Sequence, residues 1–158
     1  MTASYVIGTA EEMVALGHRI GELAGPGDVI ILSGDLGAGK TTLAKGIATG
    51  LGVTDQVTSP TFVISRVHRG DKADLVHVDA YRLGSWEEVD DLDLESQLDA
   101  SVTVVEWGEG KVEMPHASRL SVRIVRSDSV DDERRVVELS PASGHWLDET
   151  ALLSGDRP

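Results

Sequence analysis

The chain contains no cysteine, which removes disulfides, thiol catalysis and Cys-ligated zinc from consideration. It contains no asparagine either, so the Asn-Lys-x-Asp motif by which one class of switch proteins reads guanine is absent. Basic residues are scarce: 14 Lys and Arg stand against 27 Asp and Glu, a formal charge of -13. RNA and membrane surfaces are themselves anionic, so a chain of this charge is a poor nonspecific ligand for either. If it works near RNA, a partner is expected to hold the RNA. No apolar run approaches the ~20 residues that a membrane span needs. The opening MTASYVIGTAEEM has neither the basic n-region nor the apolar h-region of a signal peptide. A soluble, cytoplasmic protein is expected.

What is present reads as an ordinary globular chain: 158 residues, 41% hydrophobic and 26% charged. That length suits one domain over 1–158, since domains commonly run ~100–200 residues, and it suffices for a core of useful size. The segment TAEEMVALGHRIGELAGPGD reads as a helix. Thr9 and Glu12 stand at capping-box spacing, Met13, Leu16, Ile20 and Leu23 repeat at helical spacing, and Gly25-Pro26-Gly27 stops it. VIILS is a short, wholly apolar run, as in a parallel strand buried on both faces. Thr41 to Leu51 reads as a second helix, with Leu43, Ile47 and Leu51 on one side. TFVISRVHR and ADLVHVDAY read as two strands joined through Gly70-Asp71. Ser85 opens another helix with Glu88 at capping-box spacing. SVTVVEWG is another buried-type strand, while LSVRIVRS and RRVVELS alternate as strands with one wetter face. After Pro141 a docked helix around HWLDETALL is expected, with frayed residues from about 150 to 158. Alternating strands and helices argue an α/β fold.

One stretch carries the chemistry. Gly34-Asp35-Leu36-Gly37-Ala38-Gly39-Lys40-Thr41 matches G-x-x-x-x-G-K-[ST] in full, after an apolar strand and before a helix. Small residues let backbone N–H groups curl around a phosphate, and the helix presents its positive N-terminus to the same anion. Asp35, Leu36, Gly37, Ala38, Gly39, Lys40, Thr41 and Thr42 are therefore the candidate phosphate-binding residues. Lys40 reaches the β- and γ-phosphates, and the Thr41 hydroxyl is placed for Mg²⁺. Such a loop binds phosphate without naming the reaction.

Three further stretches bear on that choice. LVHVD ends in Asp79, the Walker B arrangement of an acid at the end of a buried strand. His77, in the same strand, reads as a packed core histidine. VTSPTF places Ser59 and Thr61 as candidate γ-phosphate sensors, although a turn rich in small polar residues would look the same. VTVVEWG ends in Glu106-Trp107. If its strand neighbours that of Asp79, Glu106 points into a crevice at the strand C-termini, where it would polarise water or complete a Mg²⁺ shell. A structural role fits Glu106 and Trp107 equally well from position alone.

GDLGAGKTT, VTSPTF, HVDAYRL and VEWGE occur in that order, at spacings that resemble the TsaE (YjeE) family, from roughly Thr9 to Glu109. The resemblance implies a phosphate-loop three-layer fold, with a central, largely parallel mixed sheet flanked by helices. It also implies an ATPase acting with TsaB and TsaD in threonylcarbamoyl-adenosine modification of tRNA position 37. On that resemblance Lys40 and Thr41 hold ATP and Mg²⁺, Ser59, Pro60 and Thr61 form a switch-like loop, and Asp79, Tyr81 and Arg82 fall on HxDxYRL. Glu106 supports Mg²⁺ and hydrolysis, with Trp107 beside the nucleotide. The catalytic set is then Lys40, Asp79 and Glu106, and the metal set Thr41, Asp79 and Glu106. tRNA contact would be indirect, through the complex. The segment from Ser85 to Asp99 carries seven acidic residues and no basic ones; it reads as a solvated face or as a docking surface for a basic partner.

Two other functions share the loop. A small-molecule kinase needs an acceptor pocket and an arginine-bearing lid, for which the mainly strand-like sequence after Trp107 offers no clear candidate. A nucleotide-binding adaptor without useful hydrolysis would look the same in sequence.

Overall fold

A computed structural model describes residues 3–34, 39–54, 65–79, 100–106, 118–126, 134–141 and 144–146. Their elements run β1 (Ala3–Ile7), α1 (Ala10–Leu23), β2 (Asp28–Gly34), α2 (Lys40–Gly50), β3 (Ser65–His68), β4 (Asp74–Asp79), β5 (Ser101–Glu106), β6 (Ser118–Arg126) and β7 (Arg135–Pro141). The strands form one seven-stranded sheet in the order β1-β7-β6-β2-β5-β4-β3. The four central strands, β6, β2, β5 and β4, are mutually parallel. β3 joins one side and β7 and β1 the other, each antiparallel to its neighbour. The sheet is thus mixed around a parallel core.

Composition explains which strands are central. Val29 to Leu32 of β2 are all buried, as is every residue of β5. Strands covered on both faces read as unbroken apolar runs. β6 and β7 alternate instead. Leu120, Val122 and Ile124 are buried while Arg123 and Val125 are exposed, and in β7 Val137 and Leu139 are buried while Val136 is exposed. Arg119, Ser121 and Arg123 thus share the wetter face, as their period-two spacing predicts. β1 is an element that the sequence reading does not name. Ala3, Tyr5 and Ile7 are its buried face, but Val6 on the other face is 67% exposed. An apolar residue on the wet side of a five-residue strand blurs the alternation.

α1 and α2 lie on one face of the sheet, sharing a core with Ile30, Leu32, Val104, Leu120, Val122 and Leu139. They run parallel and unusually close. A Cβ on Gly46 would stand 2.2 Å from the Val14 carbonyl oxygen, and one on Gly17 2.4 Å from that of Leu43. Gly21 and Gly50 repeat the contact one turn on. Glycine at i and i+4 on both helices removes the side chains that would hold the backbones apart. The offset is the same in both pairs, Gly17 with Gly46 and Gly21 with Gly50. Carried back, it sets the start of α1 beside Gly39, where Met13 also reaches.

The outer ends are tied by specific contacts. Lys72, from the turn before β4, donates to the Gly21 and Glu22 carbonyls at the C-terminus of α1. It supplies the cation that the last turn of α1 lacks. After β7, Trp146 is fully buried in the main core. His145 Nε2 lies 2.7 Å from Asp28 Oδ2, which also accepts from the Gly25 N–H. Burying a large side chain of this kind contributes roughly 1.5–3 kcal/mol or more, so docking after Pro141 reaches at least to Trp146; residues 147–158 lie outside those described. Among the described residues no helix is long and apolar enough to cross a membrane.

Candidate functional site

β2 leads to the phosphate loop and α2 leaves it. Gly39, at the N-cap of α2, has φ 115°, a left-handed conformation that costs other residues about 1 kcal/mol or more. It has no side chain with which to cap the helix, and the first turn of α2 carries no acidic residue. An α-helix begins with backbone N–H groups that have no partner within the helix, and here no N-cap side chain takes one. Lys40 occupies the first helical position and is 5% exposed. A cation there opposes the helix dipole, at roughly 0.3–1 kcal/mol, and its burial costs more unless a partner is supplied. Its Nζ turns back and donates to the Gly34 carbonyl at 2.8 Å, across the ends of the loop. Thr41 and Thr42 follow in the same turn, both half-buried.

The acidic residues stand on the neighbouring strands. β5 lies directly between β2 and β4, so the adjacency on which the reading of Glu106 depended is present. Glu106 stands opposite Leu32 of β2 on one side and opposite Asp79 of β4 on the other. All three strands run in one direction, so Gly34, Glu106 and Asp79 close the same C-terminal edge. Brought together at that edge are Gly39, Lys40, Thr41 and Thr42 from α2 and Glu106 and Asp79 from the strands. Glu106 shares its face with Leu32 and Val104, the side that packs against α2.

Glu106 is only 3% exposed. His77 Nε2 lies 2.5 Å from its Oε2, and the ring is wholly buried. His77 Nδ1 is also buried, with no hydrogen-bond partner among the described residues. His77 lies in the core as its strand position predicts, but this contact is not evident from the sequence. The available signal was parity: His77 is two residues before Asp79 and so on the same face. Only the β4–β5 pairing shows that this face meets Glu106.

Asp35, Leu36, Gly37 and Ala38 of the loop, Ser59, Pro60 and Thr61, Tyr81 and Arg82, the acidic segment 85–99, and Trp107 all lie outside the described residues. The described part fits an anion and a hard cation chemically. The start of α2 offers uncapped N–H groups beside a lysine, as phosphate binding requires. The Thr41 hydroxyl and the Glu106 carboxylate are oxygen ligands of the kind Mg²⁺ takes, and the backbone of Asp79 stands at the same strand edge. Among the described residues no three His, Asp or Glu side chains gather to hold an ion by themselves. Mg²⁺ in such proteins is bound through one or two carboxylates, water and substrate phosphates.

A parallel-core α/β sheet, with a full phosphate loop between β2 and α2 and acids at the adjoining strand ends, defines a phosphate-loop nucleotide-binding protein. The family model described as "Threonylcarbamoyl adenosine biosynthesis protein TsaE" matches residues 7–136, and the chain belongs to that family. It is 57% identical over 148 residues to the tRNA threonylcarbamoyladenosine biosynthesis protein TsaE of Streptomyces coelicolor, covering 90% of this chain and all of that one. It is 42% identical over 127 residues to the protein of that name in Bacillus subtilis, covering 80% of this chain and 78% of the other. The crystal structure of Bacillus subtilis YdiB superposes with a TM-score of 0.78 at 30% identity, over 98% of this chain and 95% of that one.

Proposed function

We propose that this protein is a Mg²⁺-dependent ATPase of threonylcarbamoyladenosine biosynthesis. In this reading it binds and hydrolyses ATP to support a TsaB–TsaD complex that modifies adenosine 37 of tRNA. Family membership supports the pathway, and the relatives' names point to the same process. The observation that carries the chemistry is the start of α2: an uncapped helix N-terminus with a buried lysine folded across the loop, one strand away from a buried glutamate.

The sequence motifs and the strand order support the following roles. The loop amides of Asp35 to Gly39 and the first turn of α2 hold the phosphates. Lys40 exchanges the Gly34 carbonyl for phosphate oxygens and stabilises charge on the β/γ bridge. Thr41, Glu106 and Asp79 would hold Mg²⁺, which would supply charge neutralisation at the phosphates. Glu106 polarises the attacking water as general base. Ser59 and Thr61 sense the γ-phosphate and Trp107 covers the site. With a net charge of -13, tRNA contact is left to the partners, and a cytoplasmic location follows from the process.

The test is ATP turnover by the protein alone, then with purified TsaB and TsaD, beside Lys40→Ala and Glu106→Ala. Tenfold stimulation by the partners corresponds to about 1.4 kcal/mol of barrier lowering. Stimulation lost in both variants supports a partner-coupled ATPase. Tight ATP binding without turnover in any mixture overturns the hydrolysis step and leaves a nucleotide-binding adaptor.

A further inference from the structure

We propose that His77 is a positioning residue for Glu106: its ring N–H fixes Oε2 of the carboxylate and leaves Oε1 for water or Mg²⁺. The inference rests on the reading that Glu106 acts in ATP hydrolysis, and deepens it.

The geometry is specific. Asp79 pairs with Glu106 and His77 with Val104 across β4 and β5, so His77 is the diagonal neighbour of Glu106 on one face. Long side chains reach each other at that position. The contact, at 2.5 Å, is buried from both sides. An ionised carboxylate has no proton to give. Acting as a base, Glu106 accepts this hydrogen bond, so the imidazole would donate from Nε2 to Oε2 and leave Oε1 to face water or Mg²⁺. Among the described residues His77 Nδ1 is buried without a partner. A side chain present only to fill the core would be apolar and leave no orphan nitrogen. What the imidazole adds to the core is the Nε2 contact with Glu106. Both partners stand on central strands, whose backbones hold them more rigidly than loops would. The arrangement is that of an outer partner that aims a ligand, where loss typically costs about 10- to 100-fold in activity or metal affinity.

The experiment uses the full chain as wild type, His77→Ala, His77→Gln, Glu106→Gln and the double variant His77→Ala/Glu106→Gln. ATP turnover and thermal midpoint are measured on each. His77→Ala is expected to lower kcat about 10- to 100-fold while KM changes by less than about threefold. His77→Gln, whose amide N–H can reach Oε2, returns kcat to within about fivefold of wild type, since outer partners act through that one hydrogen bond. The double variant is no slower than Glu106→Gln alone, because the two side chains act as a unit. Equal kcat losses in the Ala and Gln variants, or independent losses in the double variant, would overturn the proposal.

A second readout does not need turnover. The ¹⁵N NMR signal of His77 Nε2 is followed while Mg²⁺ is added to the ADP-bound wild type. A shift on adding Mg²⁺, absent in Glu106→Gln, supports the positioning role. A signal indifferent to Mg²⁺ refutes it. If the wild type turns over no faster than Lys40→Ala, the hydrolysis reading fails separately, and the NMR result still decides the role of His77.

Discussion

Two helices start side by side in this protein and their first turns are opposites. α1 begins with Thr9, whose hydroxyl accepts from the Glu12 N–H, and carries Glu11 and Glu12 in its first turn. The Glu12 carboxylate in turn accepts from the Gly8 N–H, one residue earlier than the reciprocal bond of a standard capping box. Orphan donors are satisfied and the dipole meets negative charge. α2 begins with Gly39, which has no capping side chain, and Lys40, which has the wrong charge for that end. The same backbone problem is solved by the cap residue in one helix and, among the described residues, left open in the other. The glycine contacts between Gly17 and Gly46 and between Gly21 and Gly50 bind the open helix to the closed one. A helix end without a cap is unfavourable for its own helix; here the neighbouring helix and the sheet hold it in place.

The comparison can be broken most severely at Lys40. Lys40→Ala should lower ATP turnover by about 100-fold or more, as loss of a preorganised charge does, while the thermal midpoint stays level or rises, since an opposed charge has gone. Steady-state kinetics and a melt on one preparation check both halves. Next is the contact between the helices. Gly46→Leu should cost about 3 kcal/mol, a fall of roughly 6–12 °C in midpoint for a chain of this size, with nucleotide affinity following stability. Calorimetry with an ATP titration measures this.

Smaller changes sharpen the contrast. Thr42→Glu gives the first turn of α2 the acid that α1 already has. It should stabilise the free protein by a few tenths of a kcal/mol and weaken ATP binding about tenfold, equivalent to 1.4 kcal/mol, when titrated calorimetrically. Thr9→Ala removes the cap of α1 at about 1 kcal/mol, and ATP affinity measured beside the melt should not change.

Much of this contrast is legible in the sequence. The Thr9 cap, the phosphate loop and the strand ends at Asp79 and Glu106 rest on local patterns, in which neighbours along the chain decide the outcome. What is not legible depends on neighbours across the fold. Gly17, Gly21, Gly46 and Gly50 stand at i, i+4 spacing, yet nothing local says that the two pairs face each other. His77 looks like core until β5 is known to run beside β4. β1 is short and exposes Val6, and it becomes a strand by pairing with β7 at the far end of the chain. Tertiary pairing, rather than propensity, determines all three.

The most direct test of the central claim, that the start of α2 is left open for a nucleotide, is a thermal melt with and without Mg·ATP on wild type and Lys40→Ala. At about 100 times Kd, binding to the native state alone adds ~2.7 kcal/mol, or roughly 5–11 °C in midpoint. The account predicts that rise in wild type and none in Lys40→Ala. An equal rise in both proteins, or none in either, would contradict it.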